Sequence, residues 1–104
     1  MQHLNEIQPK QIASGILGKY IHGAGATLGY VYIKAGSILP PHHHVHEQIT
    51  FIVEGELEMK IGDQTYLLTE GTAHVIPSNM PHSATALIDC IVIDVFSPTR
   101  EDYK

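Results

Sequence analysis

The chain has 104 residues, with six lysines and arginines against eleven aspartates and glutamates and a formal net charge of −5. That length suits one domain, residues 1–104, with a single core near the lower end of comfortable stability. No window gathers basic residues against a phosphate backbone, and no stretch approaches the ~20 apolar residues that span a bilayer, so neither nucleic acid nor membrane is an expected partner. Cys90 is the only cysteine and lies inside CIVIDVF, which excludes a disulfide framework and reads as a small buried hydrophobe. The opening MQHLNEIQPKQ lacks a basic segment followed by an apolar one, so a cytoplasmic protein is expected.

Taken in order, residues 1–12 form an arm with at most a turn of helix. Short runs rich in β-branched and aromatic residues follow: YIH, TLGYVYI, QITFIVE, ELEMKI, QTYLL, AHVIP, HSATAL and DCIVIDVF. Turn signals (GAG, AGS, PP, EG, GDQ, TEG, PSNMP, SP) separate them every ~8–12 residues, the rhythm of an all-β barrel or sandwich. No long window carries a helical apolar stripe, so the crossover helices of an α/β fold are missing. A tail, residues 97–104, closes the chain; arm and tail are the pieces expected outside the barrel, over an edge strand or against a partner.

The segment PPHHHVHEQ holds four of the eight histidines. Alternation along a strand places His42, His44, His46 and Gln48 on one side and His43, Val45 and Glu47 on the other. Two imidazoles two residues apart can therefore address a common point, and parity alone leaves His46 and Gln48 both open as a further ligand. His3, His22 and His74 read as surface or packing residues, Tyr30 and Tyr32 as packing, and Glu54, Glu56 and Glu58 as a solvated hairpin face. In the last strand, Val92, Asp94 and Phe96 share one face, while Ile91, Ile93 and Val95 form an aliphatic face expected to pack inward. Asp94 must then find a partner, with Arg100 a candidate cation, or a solvated cavity, because burying a carboxylate alone is costly.

Glycines and prolines around the histidines extend the pattern. Gly36, His42, His44, Gln48 and Gly55 form one block, and Gly71, Pro77, Asn79 and His82 a second, with fifteen residues between them. These blocks resemble the two signature motifs of the cupin superfamily, with Gln48 where an acid is usual, Asn79 where a glycine is usual and Ala86 where an asparagine often closes the motif. Asn79 keeps the turn accessible because asparagine tolerates positive φ. The tail DVFSPTREDY, together with the HxHx3Q spacing, resembles the KdgF family of small cupins from bacterial pectin and alginate breakdown.

The resemblance implies a single-domain cupin-type double-stranded β-helix, a jelly-roll barrel. It implies one divalent transition metal ion (Zn, Ni, Mn or Fe) on His42, His44, Gln48 and His82. Catalytic roles fall to Asp94 and Arg100, and substrate contacts to Phe96 and Arg100. The implied partner is a small anionic sugar acid, a 4,5-unsaturated monouronate that is ring-opened and ketonised. Two other readings of the same pattern are a cupin dioxygenase and a non-catalytic binder of metal or a small anion. A homodimer is expected, since a short barrel with exposed edges gains from pairing.

Overall fold

The structure, a computed structural model, describes all 104 residues. Ten strands follow one another: β1 (Lys10–Ala13), β2 (Ile16–His22), β3 (Thr27–Ile33), β4 (Ile38–His42), β5 (Glu47–Glu54), β6 (Glu56–Ile61), β7 (Gln64–Thr69), β8 (Ala73–Ile76), β9 (His82–Ala86) and β10 (Cys90–Ser97). Single 3-10 turns, Leu4–Glu6 and Glu101–Tyr103, sit near the two ends. The expected all-β architecture takes the form of two antiparallel sheets, one in the order β1-β2-β3-β10-β5-β8 and the other β4-β9-β6-β7. They enclose a core of Ile16, Val31, Ile33, Ile52, Leu57, Met59, Ile61, Leu68, Ile76, Ala84, Ala86, Cys90 and Val92. Period-2 patterning selects these residues, because a strand facing a second sheet buries every other side chain.

Three expectations need correcting. In β10 it is Cys90, Val92 and Phe96 that are buried, at 1–3 % exposure, with Asp94 on the same inward face. Ile91, Ile93 and Val95 point outward, so the all-aliphatic face is not the core face. Register explains this: Val92 pairs across the sheet with Val31 and Ile52, both already committed to the interior. Second, PPHHHVHEQ is not one strand. β4 ends at His42, residues 43–46 cross between the sheets, and β5 begins at Glu47. The inward-outward alternation nevertheless survives, with His43, Val45 and Glu47 exposed. Third, the arm is shorter than expected, because Lys10 to Ile12 already belong to β1 and pair with β2.

Tyr30 and Tyr32 lie on the outer face of β3, edge to face at 5.4 Å between ring centroids, away from the interior. The His74 and Tyr66 rings meet at a tilt of 40°, and the His22 ring meets the Thr27 hydroxyl at 2.9 Å. Asn79 adopts φ 60°, which lets PSNMP turn without a glycine.

One aromatic ring does enter the sandwich from β2. Tyr20 lies over Gly29, its register partner in β3, and over Gly18 on its own strand. A methyl group on Gly29 would sit 2.6 Å from the Tyr20 ring, so the ring owes its place to the missing side chain. Gly29→Ala is expected to destabilise the fold by ~1–3 kcal/mol, the usual cost of overpacking, and to dislodge Tyr20. Urea unfolding with near-ultraviolet circular dichroism checks this; unchanged stability and an unchanged tyrosine signal would contradict it.

Candidate metal centre and pocket

Three histidines from different parts of the fold converge. His42 ends β4, His82 opens β9 directly opposite it in register, and His44 comes in from the connector. One ring nitrogen from each lies within 4.8 Å of the others. The ring centroids of His42 and His82 are 4.2 Å apart, and those of His44 and His82 5.0 Å.

Their protonation pattern follows from the backbone. Each Nδ1 lies against a carbonyl oxygen: His42 on Pro40 at 2.9 Å, His44 on His46 at 2.9 Å and His82 on Met80 at 2.8 Å. A carbonyl can only accept, so each Nδ1 carries the proton and donates it. In the neutral ring each Nε2 is then left as a bare acceptor. His82 Nε2 is buried with no hydrogen-bond partner.

Gln48 completes the set by the same logic. Its Nε2 donates to the Thr50 hydroxyl at 2.9 Å and to Asp94 Oδ1 at 3.2 Å, while Thr50 donates to Asp94 Oδ1 at 2.8 Å. The amide is thereby oriented with Oε1 facing His44 Nε2 at 3.1 Å. With His44 Nδ1 holding the proton, that contact sets two acceptors against each other, and a cation between them resolves it. Three neutral imidazoles and an amide oxygen form a mixed N/O set suited to a divalent transition metal, and their Nδ1 bonds are the outer-shell contacts that fix metal-binding histidines. His46 does not join them: its Nδ1 is buried and unpartnered, and its ring lies against Phe96 at 6.4 Å.

Inward from the histidines runs a pocket lined on its polar side by His42, Gln48, Thr50, Asp94, Tyr20 and Arg100, with Phe96, Tyr103 and the core aliphatics completing the wall. Asp94 is one of the residues that line this cavity. Burial pushes its carboxyl up to about 6, against the opposing pull of the Thr50 and Gln48 hydrogen bonds and the Arg100 charge. Burial also holds His82 down to about 4 and lowers His44, in the latter case with help from Arg100. Tyr20 is pushed above the ordinary phenol range by burial and by the neighbouring Tyr103 and Asp94.

Arg100 does not pair with Asp94, as the sequence had allowed. The tail folds back over the pocket, pinned to the β2–β3 hairpin: Ser97 Oγ donates to the Gly25 carbonyl, Thr99 Oγ1 to that of Gly23, and the Arg100 backbone N–H to Thr27 Oγ1. The buried guanidinium lies 4.7 Å from the Phe96 ring centre and 3.9 Å from that of Tyr103. Its Nε and Nη2 donate to the two oxygens of Asp102 at 3.0 and 2.8 Å. A guanidinium has five N–H donors, of which Asp102 takes two and the Tyr103 hydroxyl lies in reach of another, so donors are left over for a further acceptor.

Thr50, Tyr20 and Tyr103 line this site although the sequence reading assigned them no role. Thr50 was findable, since it shares the parity of Gln48 two residues on. Tyr103 sits in the REDY motif of the tail. Nothing local marks Tyr20, whose position depends on Gly29 across the sheet.

Comparison with known proteins came to the same region. Residues 29–96 match the family model described as a cupin domain. The pectin degradation protein KdgF of Dickeya dadantii is 33 % identical over 75 residues, covering 70 % of this chain and 68 % of that protein. H2HPP isomerase of Bacillus subtilis is 37 % identical over 65 residues, 62 % of this chain but only 28 % of the relative. Among solved structures, KdgF from Halomonas sp. superposes with a TM-score of 0.89 at 33 % identity, covering 96 % of this chain and 94 % of that one. An RmlC-like cupin from Shewanella frigidimarina reaches a TM-score of 0.93 at 25 % identity, covering 99 % and 94 %.

Two outcomes are expected from this geometry. Gln48→Ala lowers metal occupancy after loading and desalting whereas His46→Ala does not; equal loss would mean that the fourth ligand is misassigned. In metal-free protein, His82 and Asp94 link stability to pH in opposite directions. The folded value of His82 lies below its ordinary 6.5, so the unfolded chain binds the extra proton and acidification from about 6.5 to about 4 destabilises. The folded value of Asp94 lies above its ordinary 3.8, so acidification through about 6 stabilises. Each contribution is on the order of 2–3 kcal/mol. Asp94→Asn therefore loses about that much more stability than the wild type between pH 7 and pH 4.5 by urea unfolding, and equal losses would count against a raised Asp94.

Proposed function

This chain belongs to the cupin domain family and, within it, groups with the small cupin KdgF; on that premise we propose that it is a metal-dependent enzyme of uronate breakdown. The reaction is conversion of a 4,5-unsaturated monouronate, of the kind released by pectin or alginate lyases, into its linear keto form. The observation that carries this reading is the position of Asp94, a carboxyl held near neutrality between Gln48 of the candidate metal centre and the cation of Arg100.

Ring opening and ketonisation move one proton and consume nothing else. The proton leaves the anomeric hydroxyl, the bond from that carbon to the ring oxygen breaks to give an aldehyde and an enolate, and the enolate takes that proton on the alkene carbon farther from its oxygen, leaving a ketone. A group that accepts and then returns a proton needs a value close to the working pH, which burial gives Asp94. The Thr50 and Gln48 donors both fall on Oδ1, leaving Oδ2 for the substrate. The donors of Arg100 not taken by Asp102 suit the substrate carboxylate. Phe96, inward on β10 and buried beneath the guanidinium, offers an apolar wall to the sugar. A bound divalent ion on His42, His44, His82 and Gln48 would hold substrate oxygens and draw electron density from them.

Metal-loaded protein given lyase-generated unsaturated galacturonate is expected to speed the loss of the unsaturated-ring ultraviolet absorbance, with or without oxygen. Asp94→Asn should lower kcat ~10²–10⁴-fold, the usual contribution of general acid–base catalysis, with metal content unchanged. A rate equal to buffer with metal bound would overturn the reading, and a strict oxygen requirement would point to the dioxygenase class.

A further inference from the structure

We propose that Thr50 is a positioning residue of this site, its one hydroxyl fixing both which atom of the Gln48 amide faces the three histidines and which oxygen of Asp94 is left to the cavity. For the metal centre this follows from the geometry of the chain alone; for catalysis it rests on the uronate reaction proposed for the site.

Two of the three groups in the network have no orientation of their own. The last torsion of a glutamine amide or an aspartate carboxylate is broad and roughly two-fold, so each can present either of its terminal atoms at little intrinsic cost. Thr50 is the stiff member. Branching at Cβ restricts its χ1, the residue is 1 % exposed, and it points inward on β5 between Gln48 and Ile52. Asp94 of β10 pairs with it on one side and His74 of β8 on the other. Two strand pairings thus hold the hydroxyl, and the hydroxyl holds the planar groups beside it.

The direction of the chain follows from what each atom can do. A hydroxyl has one hydrogen to give and lone pairs with which to receive. Gln48 Nε2 donates to Thr50 Oγ1 at 2.9 Å, and Oγ1 donates to Asp94 Oδ1 at 2.8 Å. The direct bond from Gln48 to Asp94 is the longest of the three, at 3.2 Å. Without the hydroxyl that bond alone would orient both groups, and either oxygen of a turning carboxylate could accept it. With the hydroxyl, two donors converge on Oδ1 and neither falls on Oδ2. The hydrogen bonds of Thr50 go to Gln48 and Asp94 and to no histidine, so its influence on a bound ion passes through the amide. Outer-shell partners of this kind typically change metal affinity or activity by about 10–100-fold.

Zinc titration of the metal-free protein, with cobalt substitution for a visible signal, tests this. Thr50→Val keeps the branched outline and removes the hydroxyl; it should weaken zinc binding ~10–100-fold and shift the visible bands of the cobalt-loaded protein. Thr50→Ser, which keeps the hydroxyl, should return both to wild-type behaviour. In a Gln48→Ala background Thr50→Val should change zinc affinity less than about twofold, because the group it positions is gone. At saturating zinc, with unsaturated galacturonate, Thr50→Val should lower kcat and leave KM near that of the wild type. Should Thr50→Val fail to fold, Thr50→Cys, close in size and only a weak donor, asks the same question. Unchanged zinc affinity in Thr50→Val, no recovery in Thr50→Ser, or a further loss in the Gln48→Ala background would overturn the proposal. A wild type inert toward the uronate would sink the functional reading instead, and the zinc and cobalt measurements would still decide the role of Thr50.

Discussion

The orientation of one side-chain amide organises the site. Gln48 is 5 % exposed, and both hydrogen bonds from its Nε2 run inward, to Thr50 and Asp94. Rotating the amide would set its oxygen against the Asp94 carboxylate, acceptor against acceptor, so the inner end fixes the arrangement. Because Oε1 is thereby aimed at the bare Nε2 of His44, the protein gathers acceptors without donors at one point. A polar network with acceptors left over beside three clustered histidines is a candidate ligand set. The neutral amide also leaves the charge of a bound ion undiminished by a carboxylate in direct contact.

The same network ties the candidate metal centre to the carboxyl beside it. Thr50 and Asp94 are register partners on β5 and β10, so pairing at the centre of the sheet, rather than a loop, sets the distance between carboxyl and amide. Strand-borne groups of this kind are held more precisely than loop-borne ones. With Asp94 directed inward, alternation forces Ile93 and Val95 outward. The carboxyl in the pocket and the apolar surface on the back of the same wall are two consequences of one register.

The tail closes the pocket from the other side. Thr27, fully buried, accepts the Arg100 backbone N–H, and Arg100 is held between two aromatic rings with Asp102 on one edge of its fork. A cation fixed in this way loses little freedom on meeting an anion, which favours binding. Tyr20 and Tyr103, at 4.7 Å between ring centroids, fill the space beneath.

Alternation within PPHHHVHEQ offered His42 and His44 with either His46 or Gln48, because backbone parity is a local property, and the resemblance of the two blocks to the cupin motifs implied Gln48 and His82. The strand rhythm likewise sufficed for an all-β fold, and Asn79 for its turn. What the sequence left open was set by partners distant in the chain. Gln48 and His46 share a parity, and the hydrogen bond from Gln48 to Asp94, 46 residues away, separates them. The inward face of β10 looked equally plausible either way until its neighbours in β3 and β5 fixed the register. Tyr20 owes its place to Gly29, and Arg100 to Thr27, both across strand pairs or turns. Local chemistry marked which residues could hold a metal or carry charge into the interior; the pairing of strands decided which way each one faces, because in a sheet a shift of one residue exchanges the two faces.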